Sequence, residues 1–299
     1  VNSQASGLNE LTGEAGRKPR FPSRLRCLAI GSGKGGVGKT MVSVGVACSL
    51  AKMQIKTLLV DADLGLANVD LQMGINPKFT MQDVVFGNCP IEEAITSYQG
   101  GPDVLPASSG ATEMVEMGNA RRSLLVSELV SYATRYDFLV IDVGAGIGNQ
   151  VTAFLAAAPE VAIVVANEPT SIMDAYSLIK VLSRTQNPPA MSIIVNSVSS
   201  FNQGEQLASK LNGVTERFLG VKLPVLGIIL RDEAVGDAIR ARTPVPVFAE
   251  KSAAAQCIAG IAKRVAFETP SLAVIRDGAA FFESLAGLAA PASDGGGEA

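Results

Sequence analysis

From Leu25 onward, short apolar runs alternate with longer stretches in which apolar residues recur every three or four positions. CLAI (27–30), TLLV (57–60), FLVID (138–142), VAIVVA (161–166), SIIVN (192–196) and PVLGIIL (224–230) are almost continuously apolar. That is the pattern of strands covered on both faces, as in a parallel sheet. Between them, SVGVACSLAKM (43–53), ARRSLLVSELVSYATR (120–135), SIMDAYSLIKVLSR (171–184) and FNQGEQLASKLNGVTERFL (201–219) carry helical spacing. Strand–helix alternation calls for right-handed crossovers that place helices on both sides of the sheet. The expected fold is one doubly wound α/β domain over residues 25–268 with a mostly parallel sheet. The flanks read differently. Residues 1–24 are polar, with a basic cluster at Arg17, Lys18, Arg20 and Arg24, and predict a mobile arm. Residues 269–299 hold one amphipathic stretch, 273–290, with Ile275, Phe281, Phe282, Leu285 and Leu288 on one stripe, before a Gly-rich end expected to be disordered.

Composition narrows the chemistry. The 299 residues include no histidine, which removes imidazole acid–base catalysis and His-ligated metals. The four cysteines, Cys27, Cys48, Cys89 and Cys257, form no C-x-x-C pair and predict free thiols in a reducing cytosol. No apolar run reaches the roughly 20 residues a membrane-spanning helix needs, and the expectation is a soluble cytoplasmic protein. A net charge of −3 argues against nucleic acid as a partner.

GSGKGGVGKT (31–40) joins the first apolar run to the first helical one. Gly33-x4-Gly38-Lys39-Thr40 satisfies the phosphate-loop pattern in the context that pattern requires. Backbone N–H groups of such a loop wrap phosphates, assisted by the positive end of the following helix. Gly33, Lys34, Gly35, Gly36, Val37, Gly38, Lys39 and Thr40 are therefore nucleotide-binding candidates, with Lys39 on phosphate and the Thr40 hydroxyl on Mg²⁺. Carboxylates belong at the carboxyl ends of neighbouring strands. Asp142 closes FLVID and is placed to hold Mg²⁺ through water; Asp61 and Asp63 follow TLLV. At i, i+2 spacing one of that pair can serve metal-bound water while the other orients the attacking water. A phosphate loop needs only one lysine, and Lys34 is a second.

These residues resemble the MinD/ParA family of ATPases, whose deviant Walker A motif is GKGGVGKT. VDADLGLANVD, IDVGAGIG and NEPTSIMDAYSLIK extend the likeness over the 25–268 domain, and their wording is similar to the flagellar-number regulators, the FlhG or FleN branch. The resemblance implies a P-loop NTPase fold, ATP and Mg²⁺ as cofactors, and an ATP-bound homodimer in which Lys34 reaches the partner's phosphates. An ammonium delivered in trans would act as an arginine finger does. It also implies that Asp63 positions the hydrolytic water, that Asp61 and Asp142 surround Mg²⁺, and that Asn196 reads the adenine edge. Catalytic roles thus fall to Lys34 and Asp63, and metal roles to Thr40, Asp61 and Asp142. Leu230 replaces a proline usual in the family, which weakens an adenine contact around Arg231 and Asp232.

The implied function is a slow ATPase switch that controls flagellar number or placement. Division-site selection of the MinD type and partition of the ParA type are the alternatives. An iron–sulfur carrier is disfavoured by the cysteine spacing. SQASGLNEL (3–11) is similar to the branch's activator motif for a signal-recognition-type GTPase, with Ser3 and Asn9 departing from it. Segment 273–290 corresponds to the family's membrane-docking helix, here implying the cytoplasmic face of the inner membrane. Its polar face, with Arg276 against Asp277 and Glu283, lacks the basic excess that anionic lipid favours. Docking of this segment on the domain itself or on a partner is the equal alternative.

Overall fold

The computed structural model describes residues 25–63, 65–107 and 132–268. The expected arm, the tail with its amphipathic stretch, and most of the helix expected at 120–135 lie outside the described residues. Strands are β1 (Arg26–Ser32), β2 (Thr57–Ala62), β3 (Thr96–Ser97), β4 (Asp103–Leu105), β5 (Phe138–Ala145), β6 (Glu160–Ala166), β7 (Ala190–Val198) and β8 (Val225–Leu230). Helices are α1 (Lys39–Lys52), α2 (Val69–Met73), α3 (Met81–Phe86), α4 (Ile91–Ala94), α5 (Asn149–Ala157), α6 (Pro169–Ser183), α7 (Phe201–Leu219), α8 (Glu233–Arg240), α9 (Val245–Phe248) and α10 (Ala253–Lys263), the last continuing into a π-helical turn at Arg264–Glu268.

The strands form one sheet in the order β3-β4-β2-β5-β1-β6-β7-β8. Among the described strands, only the β3–β4 pair is antiparallel. Alternate residues of each strand feed two separate cores. In β1, Cys27 and Ala29 face the helix layer that includes α5, α6 and α7. Leu28 and Ile30 face α1 and α10 on the other side. That two-sided burial is why the strand sequences are apolar without alternation. The connection from β1 crosses to β2 on one side, while the chain after β5 moves to β6 on the other. The carboxyl end of β1 is therefore a topological switch point, where open α/β sheets bind their ligands.

All six expected strands are present, extended by one to three residues at most ends. Two short strands, β3 and β4, and the small helices α2 to α4 join them. Helix α1 begins at Lys39 rather than Ser43, because its first turn emerges directly from the glycine loop. At the opposite edge of the sheet, Arg26 at the start of β1 makes a bidentate ion pair with Glu160 of β6, at 2.9 and 3.0 Å. The same guanidinium donates to the carbonyls of Val265 and Ala266 and lies over the Phe138 ring.

Candidate functional site

The glycines of the loop between β1 and α1 have different causes. A Cβ at Gly33 would fall 2.3 Å from the Asp174 carbonyl, so α6 backbone passes directly against the loop. Gly38 has φ +85°, and a Cβ there would lie 2.3 Å from Asn196 Nδ2. Any other residue would be strained twice over. Gly35 meets nothing within 4 Å and has no positive φ. Neither packing nor backbone among the described residues explains a glycine at 35.

Gly38 is the N-cap residue of helix α1, which has no side-chain cap and no acidic residue in its first turn. Ser200, Asp232 and Ser252 cap α7, α8 and α10, whereas α5 and α6, like α1, begin without a side-chain cap. The leading N–H groups of α1 are thus left for an anion, as in a phosphate site.

The two lysines of the loop point apart. Lys39 is buried, with Nζ 3.0 Å from Asp142 Oδ1 and 3.7 Å from Asp63 Oδ2. Lys34 lies on the rim, where Nζ donates to Glu168 Oε2 at 2.5 Å and to Thr170 Oγ1 at 3.0 Å. Both partners sit at the start of α6. Ser32 Oγ donates to the Lys34 carbonyl, and its own carbonyl accepts from Gly146 N, which fastens the loop to the turn after β5.

Asp61 and Asp142 are register partners on adjacent strands, and both are buried. Asp61 Oδ1 accepts from Asp63 N at 3.0 Å, and Oδ2 accepts from Asn68 N and Val69 N at 3.2 and 3.3 Å. Burial first, and then the neighbouring Asp142 charge, push the Asp61 carboxyl up to about 7, although the Asp63 and Val69 N–H donors and Lys39 oppose the shift. Asp61 therefore organises the β2–α2 loop through its backbone, a role the sequence did not disclose. Asp63 is partly exposed and accepts from Leu66 N at 3.1 Å. A Cβ at Gly144 would come within 3.4 Å of Asp63 Oδ1, so the glycine gives that carboxylate room. Asp142 Oδ1 also accepts from Ser43 Oγ at 2.8 Å.

Asn196 is brought to the loop by a bulge. Between Val195 and Val198, β7 has one residue more than β8 opposite, and Ser197 takes φ 58°. Asn196 Nδ2 donates to the Val37 carbonyl at 2.8 Å, so the side chain first holds the phosphate loop. It also lines a cleft of about 320 Å³ with Gly36, Val37, Asn167, Arg231 and Asp232. Asp232 is not free to read a ligand. Its Oδ1 accepts from Ala234 N and its Oδ2 from Ala254 N, each at 3.0 Å, so it caps two helices at once. These N–H donors, Ala254 first, hold its carboxyl below the usual range.

The site thus brings together Gly33–Thr40, Asp61, Asp63, Asp142 and Asn196. Glu168, Thr170 and Ser43 were not foreseen. Ser43 was readable in principle, because it stands one helical turn after Lys39. Among the described residues, no group of three or more Cys, Asp or Glu could hold a metal by itself. Asp142 and Asp63 stand beside Lys39 at the loop, and Mg²⁺ is usually bound by one or two carboxylates together with substrate phosphates and water. All four cysteines are free, and no described helix is long and apolar enough to cross a membrane.

A family profile described as an AAA domain matches residues 25–194, more than half of the chain. The chain is 40% identical over 241 residues to Antiactivator FleN of Pseudomonas aeruginosa, covering 81% of this chain and 86% of that protein. It is 31% identical over 291 residues to the flagellum site-determining protein YlxH of Helicobacter pylori, covering 95% and 98%. Among solved structures, the MinC:MinD cell division protein complex of Aquifex aeolicus matches with a TM-score of 0.65 at 29% identity, covering 83% of this chain and 98% of that one. With the phosphate loop, its second lysine and the strand-end carboxylates in place, the chain belongs to the MinD/ParA family of P-loop ATPases, close to FleN.

Proposed function

We propose that this ATPase is a molecular switch that joins two copies through their nucleotide edges when ATP binds and regulates the number and placement of flagella. The divergence of its two lysines carries the reading. Lys39 is buried against Asp142, where it can serve the nucleotide of its own subunit, while Lys34 stands on the rim, where it can serve a neighbour's. Exposed Leu66, Ile147 and Met173, on the two loops and the helix flanking that rim, support burial against a second copy.

Gly33–Thr40 hold the phosphates, and Asn196 turns from the Val37 carbonyl toward the adenine edge. Mg²⁺ neutralises phosphate charge when bound. Thr40 and Asp142 would hold it, and Asp61, tied to the loop backbone, keeps the acidic surroundings in place. Asp63 orients the attacking water, and Lys34 of the neighbouring copy stabilises the charge that develops. Hydrolysis then separates the copies, because the trans lysine loses the γ-phosphate that held it.

Flagellar regulation rests on the two flagellar relatives, FleN and YlxH. The same reading divides the chain into an arm (1–24), an ATPase domain (25–268) and a tail (269–299). It gives the arm a signal-recognition-type GTPase as partner and the tail the inner-membrane surface. Deleting the gene and counting flagella and septa in the same cells tests the function. Altered flagellation with normal septa is expected. Minicells with unchanged flagella would overturn it in favour of division-site selection, and salt-sensitive DNA binding by the ATP form would favour partition.

A further inference from the structure

Ser43 lies one helical turn after Lys39 and is fully buried on α1. A buried hydroxyl in such a place is costly unless it is used. Its oxygen is 2.8 Å from Asp142 Oδ1 and 3.1 Å from the Lys39 carbonyl. A hydroxyl has one proton, and neither acceptor can donate in return. The shorter contact, to a charged carboxylate, is the stronger claim on that proton.

Asp142 Oδ1 receives two donors, the Lys39 ammonium at 3.0 Å and the Ser43 hydroxyl at 2.8 Å. Only one of them is committed to this carboxylate. When Lys39 turns to a phosphate it leaves Oδ1, while Ser43 is carried on rigid helix backbone and remains. Asp61 is the register neighbour of Asp142, so a carboxylate without a donor here would face a second acid across 1% exposed surroundings.

We propose that Ser43 is a positioning residue for Mg²⁺. Its hydroxyl fixes Asp142 through Oδ1 after Lys39 has moved to the nucleotide, so that the carboxylate meets the metal's water already oriented. The inference rests on the reading that Asp142 serves Mg²⁺. Partners of metal-site carboxylates that act in this way change metal affinity by about 10- to 100-fold.

The test uses the full-length chain with Ser43→Ala, Ser43→Cys and Ser43→Thr, and Asp142→Asn as reference. Cysteine keeps the volume while weakening the donor, and threonine keeps the hydroxyl. ATPase rate is titrated with MgCl₂ at saturating ATP, and binding of a fluorescent ATP analogue is measured in EDTA. Ser43→Ala and Ser43→Cys should raise the half-saturating Mg²⁺ concentration about tenfold and leave metal-free nucleotide affinity within about twofold, with Ser43→Thr returning toward wild type. A role in packing alone would instead lower the thermal midpoint without moving the Mg²⁺ titration. If Ser43→Cys folds and titrates as wild type while Asp142→Asn is disturbed, the role of Ser43 is refuted and that of Asp142 stands. If Asp142→Asn also titrates normally, the reading of Asp142 fails and the inference with it.

Discussion

Removing the partner that holds Lys34 should make ATP-driven pairing easier. In the single chain, Lys34 Nζ is bonded to Glu168 and Thr170, and in the proposed dimer it must leave both. The Lys34 and Glu168 side chains are 37% and 56% exposed, so their pairing is screened by solvent despite the short distance. Exposed pairs contribute about 0.2–1 kcal/mol each. A dimer releases two of them, about 0.4–2 kcal/mol in all, which corresponds to roughly 2- to 30-fold in the dimerisation constant. Glu168→Ala should therefore dimerise more tightly by that factor with a slowly hydrolysed ATP analogue, as read by light scattering over a concentration series. Since salt screens the wild-type pair, the advantage should shrink between low and high ionic strength. Lys34→Ala should abolish the ATP-dependent dimer while keeping monomeric nucleotide binding. An unchanged or weaker dimer in Glu168→Ala would refute the reasoning, and so would ATP-dependent pairing in a Glu168→Ala, Lys34→Ala double variant.

Other consequences follow from the same geometry. Gly38→Ala must place a Cβ at φ +85° against the Asn196 amide. It should cost about 1–2 kcal/mol in backbone strain alone and at least tenfold in nucleotide affinity, measured by titration with a fluorescent ATP analogue. Asp61 is raised to about 7, so its proton favours the folded chain. That contribution is fully present below the ordinary aspartate value near 4 and is lost as pH rises through about 7. Without nucleotide or Mg²⁺, Asp61→Asn should gain in melting temperature relative to wild type between pH 5 and 8; a constant difference would contradict the assignment. Arg26→Ala strands Glu160 and frees two carbonyls, for an expected loss of about 3 kcal/mol, or roughly 6–12 °C in melting temperature. Arg26→Met with Glu160→Leu should recover much of it by calorimetry. Finally, if the tail serves membranes, pelleting with anionic vesicles should require ATP and disappear in a chain ending at Pro270.

The fold was legible where burial was two-sided. β5 and β6 read as apolar runs because each alternate residue enters one of two cores. β3 and β4 were not, since two or three residues such as Thr96–Ser97 carry no period and owe their pairing to a neighbouring strand. The loop glycines and Asp142 were legible because a phosphate site fixes both residue type and position. What stayed hidden was long-range. Glu168 is 134 residues from Lys34, and nothing in either local pattern announces the pair. Asn196 was expected at the adenine edge, and its hold on Val37 was not legible, because it depends on a bulge in β7 opposite β8.

Arg26 also has a mechanical consequence. The guanidinium that joins the first strand to residues 265 and 266 closes the domain at one corner, on the edge away from the phosphate loop. A load applied to the first strand at residue 26 is shared with residues 265 and 266 through this one side chain. Two copies meeting by their nucleotide edges would keep residues 26, 265 and 266 away from the surface they share. A label or cross-link placed at this corner should therefore leave the catalytic edge unobstructed.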